Sequence, residues 1–175
     1  MTSSAENYSD LCRAVRSGDN IEGLIQELSG ETSINAIPDK ERWSRVESTF
    51  RLERIYEEYR KEYVRSKEIT NVVEAIIGPA RFYLSDQVRL LVLQWGWTNL
   101  NELVPKNDCI VLIPVLMAGS VGSVDVAVQE RGSDRRTALT FTANSEFVIA
   151  GRCALWLAKG SKIVCVALCI GKNKE

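Results

Sequence analysis

PKNDCIVLIPVLMAGSVGSVDVAVQE, residues 105–130, is where the chain changes character. Before Pro105 the apolar residues recur at helical spacing. After it they gather into short β-branched runs separated by Gly, Ser and Asn. Val124, Val126 and Val128 alternate with Asp125, Ala127 and Gln129, the pattern of a half-buried strand. The same reading predicts strands over Cys109–Met117, Val124–Gln129, Thr137–Thr142, Phe147–Ile149, Ala154–Leu157 and Ile163–Ile170. Turns fall at Gly119–Ser123, Gly132–Arg135, Asn144–Ser145, Gly151 and Lys159–Ser161. Such close spacing favours an antiparallel β-domain over 105–175, a small sandwich or barrel.

Toward the N-terminus the punctuation is helical. Ser9 is placed to cap a short helix holding Leu11, Cys12, Ala14 and Val15, ended by Gly18. A second follows Asp19 or Asn20, with Ile21, Leu24, Ile25 and Leu28 on one face and Gly30 as its stop. Pro38 suits the first turn of a long charged helix at about 39–67, with Glu41–Arg45, Glu47–Arg51 and Glu57–Lys61 as i,i+4 pairs. Its apolar stripe includes Leu52, Ile55, Tyr56, Tyr59 and Tyr63. The stripe either packs on the β-part of the same chain or serves self-association. Two more helices are expected, over Asn71–Ile77 and after Ser85 with Val88, Leu91, Val92 and Trp95 buried. The expected fold class is therefore α+β: a helical region over 1–104 followed by the antiparallel β-domain.

Composition narrows the chemistry. The chain has 175 residues, 45% hydrophobic and 26% charged, enough to build a core without staples. Residues 1–104 carry 13 Lys/Arg against 17 Asp/Glu, and residues 105–175 carry 9 against 6. That mild basic bias permits a nucleic-acid face without requiring one. There is no histidine, which removes Ser-His-Asp and Cys-His catalysis and every imidazole metal site. What remains for catalysis is carboxylates, Lys, Tyr or a lone thiol. Cys12, Cys109, Cys153, Cys165 and Cys169 are odd in number and sit mostly in apolar runs, so free thiols and an intracellular setting are expected, with no cofactor and no metal site. No apolar run is long enough to span a membrane.

The usual catalytic and phosphate-binding motifs are missing. Gly119-Ser120-Val121-Gly122 lies between strands and lacks the Lys-Ser/Thr ending of a phosphate loop. Asp125, Glu130 and Asp134 are close in sequence, but Asp125 and Glu130 differ by an odd number and would face opposite sides of a strand. Glu130-Arg131-Gly132-Ser133-Asp134-Arg135-Arg136 gathers three arginines around a turn, either a phosphate-contact loop or a solvated hairpin whose charges neutralise one another. As a nucleic-acid contact, Arg131, Arg135 and Arg136 would be joined by Lys159 and Lys162 from a neighbouring turn.

From Asp108 onward the sequence resembles the core of the plant-virus 30K movement-protein superfamily. The features that carry the resemblance are the apolar strand Ile110–Met117, a Gly-containing turn, the alternating strand Val124–Val128 ending in Glu130-Arg131, a Thr-rich stretch Thr137–Ala143, and Phe147. The resemblance implies a non-enzymatic viral protein that binds single-stranded nucleic acid or nucleoprotein, forms homo-oligomers, and acts in the host cytoplasm and at plasmodesmata. A small viral matrix or coat-like structural protein is the first alternative. A carboxylate- or Cys-dependent enzyme is the second.

Overall fold

The computed structural model describes residues 10–48, 50–118 and 122–173. Within them lie β1 (Cys12–Arg16), α1 (Asp19–Glu31), β2 (Trp43–Arg45), α2 (Glu53–Arg65), α3 (Lys67–Ile77), β3 (Phe82–Leu84) and β4 (Arg89–Asn99). Then come β5 (Cys109–Ala118), β6 (Ser123–Glu130), β7 (Arg136–Thr142), β8 (Ser145–Ala150) and β9 (Cys153–Lys172). Every strand pairing is antiparallel. The strands run in the order β1-β8-β5-β9-β4-β2, with β3, β6 and the β6–β7 hairpin joined through β9.

The expected helix-then-sheet division is corrected. β1, β2, β3 and β4 all precede Pro105, so strands from both halves build one sheet folded into a near-barrel, with three short helices against it. The central strands hide this in the sequence. Leu90, Leu91, Val92 and Leu93 of β4 are each at most 1% exposed, because both faces of the strand are covered. A strand buried on both faces shows no alternation, and its apolar run mimics a buried helix.

The long helix expected at about 39–67 is also corrected. Trp43–Arg45 instead pairs with Leu91–Leu93 as a short edge strand, and helix starts only at Glu53. Glu–Arg pairs at i,i+4 contribute only about 0.3 kcal/mol each, too little to outweigh sheet pairing. The strap before β2 is pinned by buried Gln94, whose amide oxygen accepts the Lys40 N–H at 2.8 Å and whose NH2 donates to the Pro38 carbonyl at 3.0 Å. Leu11–Val15, expected as helix, supplies β1 on the open edge of β8; its Ser9 cap lies outside the described residues. A five-residue segment cannot nucleate a stable helix alone, whereas a sheet edge offers ready partners. The expected turn at Lys159–Ser161 is a bulge inside the continuous strand β9. The register jumps from Gln94↔Lys162 to Gly96↔Leu157, and Gly160 takes φ +90°.

Two layers of apolar contact result. Inside the near-barrel, Phe141 of β7 and Phe147 of β8 stack at 4.2 Å between centroids and 7° between planes. They lie with Leu112, which is in register with Phe147, and with Val124, in register with Phe141. Outside, α1 packs on β5, and α3 packs on β1, β8 and β5. Ile69, Val72, Val73, Ile76 and Ile77 form the buried side of α3. Among the described residues no helix is long and apolar enough to cross a membrane.

Candidate acid–base site

Between the helices and the outer face of the sheet lies a carboxyl group with no partner. Glu146, the second residue of β8, is in register with Val15 of β1 and is fully buried. Alternation along β8 puts it on the same face as Val148, which is in register with Val111 of β5. Phe147, its neighbour in sequence, points the other way into the near-barrel. Helix α2 brings Tyr59, also fully buried, close enough to feel the carboxyl electrostatically. Ser17, immediately after β1, is 6% exposed.

Neither carboxyl oxygen of Glu146 has a hydrogen-bond partner, and neither do the hydroxyls of Tyr59 and Ser17. An ionised carboxylate without hydrogen bonds in an apolar setting is costly. Burial, reinforced by the charge of Glu62, accordingly pushes the Glu146 pKa up to about 8. The Ser17 hydroxyl lies near enough to ease that shift but outside good hydrogen-bonding geometry. Glu146 is thus a neutral acid at pH 7.

Glu62 of α2 is the second carboxyl of the site and is half-buried. Its pKa is raised by burial and by Glu58, and is held back by the Gly18 N–H. Gly18 matters by its size: a Cβ there would lie 1.6 Å from Oε1 of Glu62, so any side chain would displace the carboxylate. A cleft of about 320 Å³ opens beside this pair, lined by Ser17, Gly18, Glu62, Arg65, Ser66 and Glu68 among others. Ser66 ends α2 and begins α3 with extended backbone, and that break forms one wall. A larger cleft, about 510 Å³, lies between α1 and α2. Two of its lining charges are paired with neighbours, Arg54 with Glu27 and Glu58 with Lys61.

The thiols are unsuited to nucleophilic work. All five are free, and burial raises each, to about 12 for Cys12 and Cys165, about 11 for Cys153 and Cys169, and higher still for Cys109. Among the described residues no three His, Cys, Asp or Glu side chains gather to hold a metal ion.

The residues singled out in the sequence divide. Ile55 and Tyr59 are fully buried, and Leu52, Tyr56 and Tyr63 pack against the same core, so the stripe is covered by its own chain. Arg131, Arg135 and Arg136 do flank one turn, but Arg135 is held by Asp10 at 2.6 Å and Glu130 at 3.1 Å. Arg136 lies over the Trp97 ring, and Arg131 is exposed. Lys162 donates to the Ile37 carbonyl at 2.8 Å, and Lys159 sits on the exposed bulge of β9. Glu146 was missed because nothing in Ser145-Glu146-Phe147 marks the glutamate as inward-facing until β1 and the helices cover it.

Solved structures with the same architecture exist. The chain superimposes on the non-heme alpha ketoglutarate dependent epimerase SnoN from nogalamycin biosynthesis with a TM-score of 0.54 and 10% identity, covering 94% of this chain and 78% of that one. The carbocyclase SnoK, from the same biosynthesis, gives 0.52 and 10%, covering 97% and 83%. EctD from S. alaskensis, solved with bound Fe, gives 0.52 and 9%, covering 94% and 73%. In fold, the chain resembles these enzymes. No family model matches the chain, and no curated protein matches it.

That likeness bears on two expectations. The movement-protein resemblance, with its viral, RNA-binding and plasmodesmal implications, is overturned because the solved structures that share the architecture are non-heme alpha ketoglutarate dependent enzymes and EctD, none of them a movement protein. The short strand pattern after Asp108 is common to many antiparallel β-proteins, and without β1 to β4 it cannot distinguish them. The expectation of a protein that binds without catalysing runs against the same finding: the solved structures that share this fold are enzymes. Iron itself does not transfer. Non-heme Fe(II) oxygenases use two histidines and a carboxylate with open positions. This chain has no histidine, and no alternative cluster gathers among the described residues. The residues present do not fit that metal centre.

Proposed function

We propose that this chain is a carboxylate-dependent enzyme that moves protons without iron, using the cleft between β1, α2 and α3. Glu62 faces the cleft as the proton acceptor. Glu146 holds a proton behind it, and the Ser17 hydroxyl, which lines the cleft and already eases the Glu146 shift, is the group through which that proton would pass once the two come into hydrogen-bonding geometry. The observation that carries the reading is a fully buried glutamic acid, unpartnered at both oxygens, with its pKa raised toward neutrality beside a second carboxyl. Two carboxyls in environments that separate their proton affinities are the usual basis of acid and base roles in one site. The likeness in fold to enzymes supports catalysis, and the inert thiols favour the carboxylate route over a cysteine one.

Proton abstraction next to a carbonyl is the simplest reaction such a pair performs, and positioned general bases contribute about 10²–10⁴-fold. The test is hydrogen–deuterium exchange in D2O. Chelator-treated protein is offered a panel of 2-oxo acids and 1,3-dicarbonyl compounds, with exchange followed by proton NMR. Catalysed exchange is expected with at least one compound, falling about 100-fold or more in Glu62→Gln. In Glu146→Gln the pH profile is expected to lose its alkaline limb near 8. Absence of exchange across the panel, or exchange unchanged in both variants, contradicts the proposal.

A further inference from the structure

On the outer face of the β4–β9–β6–β7 sheet, two tryptophans lie side by side. Trp97 of β4 is in register with Trp156 of β9, and they are 40% and 37% exposed. The row continues through Ala127 of β6 to Ala138 of β7. Small side chains beyond the indoles leave a flat shelf rather than a groove. The next row places Gln129 beside Arg136. The Arg136 guanidinium lies 5.7 Å from the Trp97 ring centroid, and Arg131 lines a shallow cleft of about 230 Å³ together with Trp97, Gln129 and Glu130, whose carboxylate is held by Arg135 and Arg152.

We infer that this shelf binds an acidic saccharide, a pyranose chain bearing carboxylates. Indole faces are electronegative and attract polarised C–H and cationic groups, so a sugar ring lying flat on Trp97 and Trp156 presents its apolar face correctly. Arg131 and Arg136 supply charge complementarity for a carboxylate, and the Gln129 amide serves ring hydroxyls. Arg135 and Arg152 do not add to that charge, since both pair with Asp10 and Glu130. Two arginines on a flat aromatic shelf match a sparsely charged ligand better than the dense phosphates of a nucleic acid.

The test titrates the full chain with tetragalacturonate, with neutral maltotetraose and with oligo(dT), by calorimetry and tryptophan fluorescence. Tetragalacturonate is expected to bind at least 10-fold tighter than maltotetraose. Trp97→Ala and Trp156→Ala should each weaken it about 10-fold or more. Arg131→Gln with Arg136→Gln should bring it down to the neutral sugar's affinity, with circular dichroism unchanged in all variants. All four positions are exposed, and loss of fold is checked independently by that spectrum. Equal affinity for both sugars, no binding of either, or preferential binding of oligo(dT) overturns the inference.

Discussion

Glutamine at position 146 keeps the shape of the side chain and removes its proton. In the folded chain the Glu146 pKa is about 8, against about 4.3 when unfolded. Between those values the folded state holds a proton that the unfolded state has released, so the parent loses stability as pH rises through the window. Glu146→Gln does not share that loss. Its stability advantage should grow from about pH 4.3 and level off above 8, reaching roughly 3–5 kcal/mol from the size of the shift. Thermal melts of both proteins from pH 4 to 9 check this. A difference that is flat with pH means that Glu146 is ionised in the fold. Asp10 behaves oppositely. The Arg135 guanidinium holds its carboxyl below the usual range, so its contribution is present at neutral pH and is lost only in acid.

At the scale of elements, α2 tests whether its stripe serves the chain's own sheet. Ile55 is fully buried between α2 and the core. Ile55→Ala should cost about 2–4 kcal/mol in denaturant unfolding and leave the mass in solution unchanged. Unchanged stability with an altered mass would return the stripe to a role between copies. The strands after Pro105 were legible because most lie at turn-punctuated spacing, and β6 shows open alternation. The helix after Asp19 was legible from Ile21, Leu24 and Leu28, which are its buried residues. β4 was not, because Leu90–Leu93 are covered on both faces and carry no period. β1 and β2 were not, because segments of five and three residues take their structure from their partners β8 and β4. The candidate site was illegible for the same reason. Ser17, Glu62 and Glu146 come from three distant segments that only the β1–β8 pairing and the packing of the helices bring together.

For the whole molecule, the fold and the residue inventory point in different directions. The architecture is similar to that of non-heme alpha ketoglutarate dependent enzymes and of EctD solved with bound Fe, yet histidine is absent, and a stacked Phe141–Phe147 pair occupies part of the near-barrel interior. Protein loaded with Fe(II) under anaerobic conditions and then desalted should retain far less than one equivalent; stoichiometric retention would contradict the assignment of the chemistry to carboxylates. The most direct measurement is on the proton itself. Carbon-13 labelling of the glutamate side-chain carboxyls, followed by NMR from pH 3 to 10, reports each titration separately. One glutamate should titrate near pH 8, and that resonance should vanish in Glu146→Gln. If every glutamate titrates below about pH 5.5, Glu146 is a carboxylate at neutral pH and the acid–base account fails.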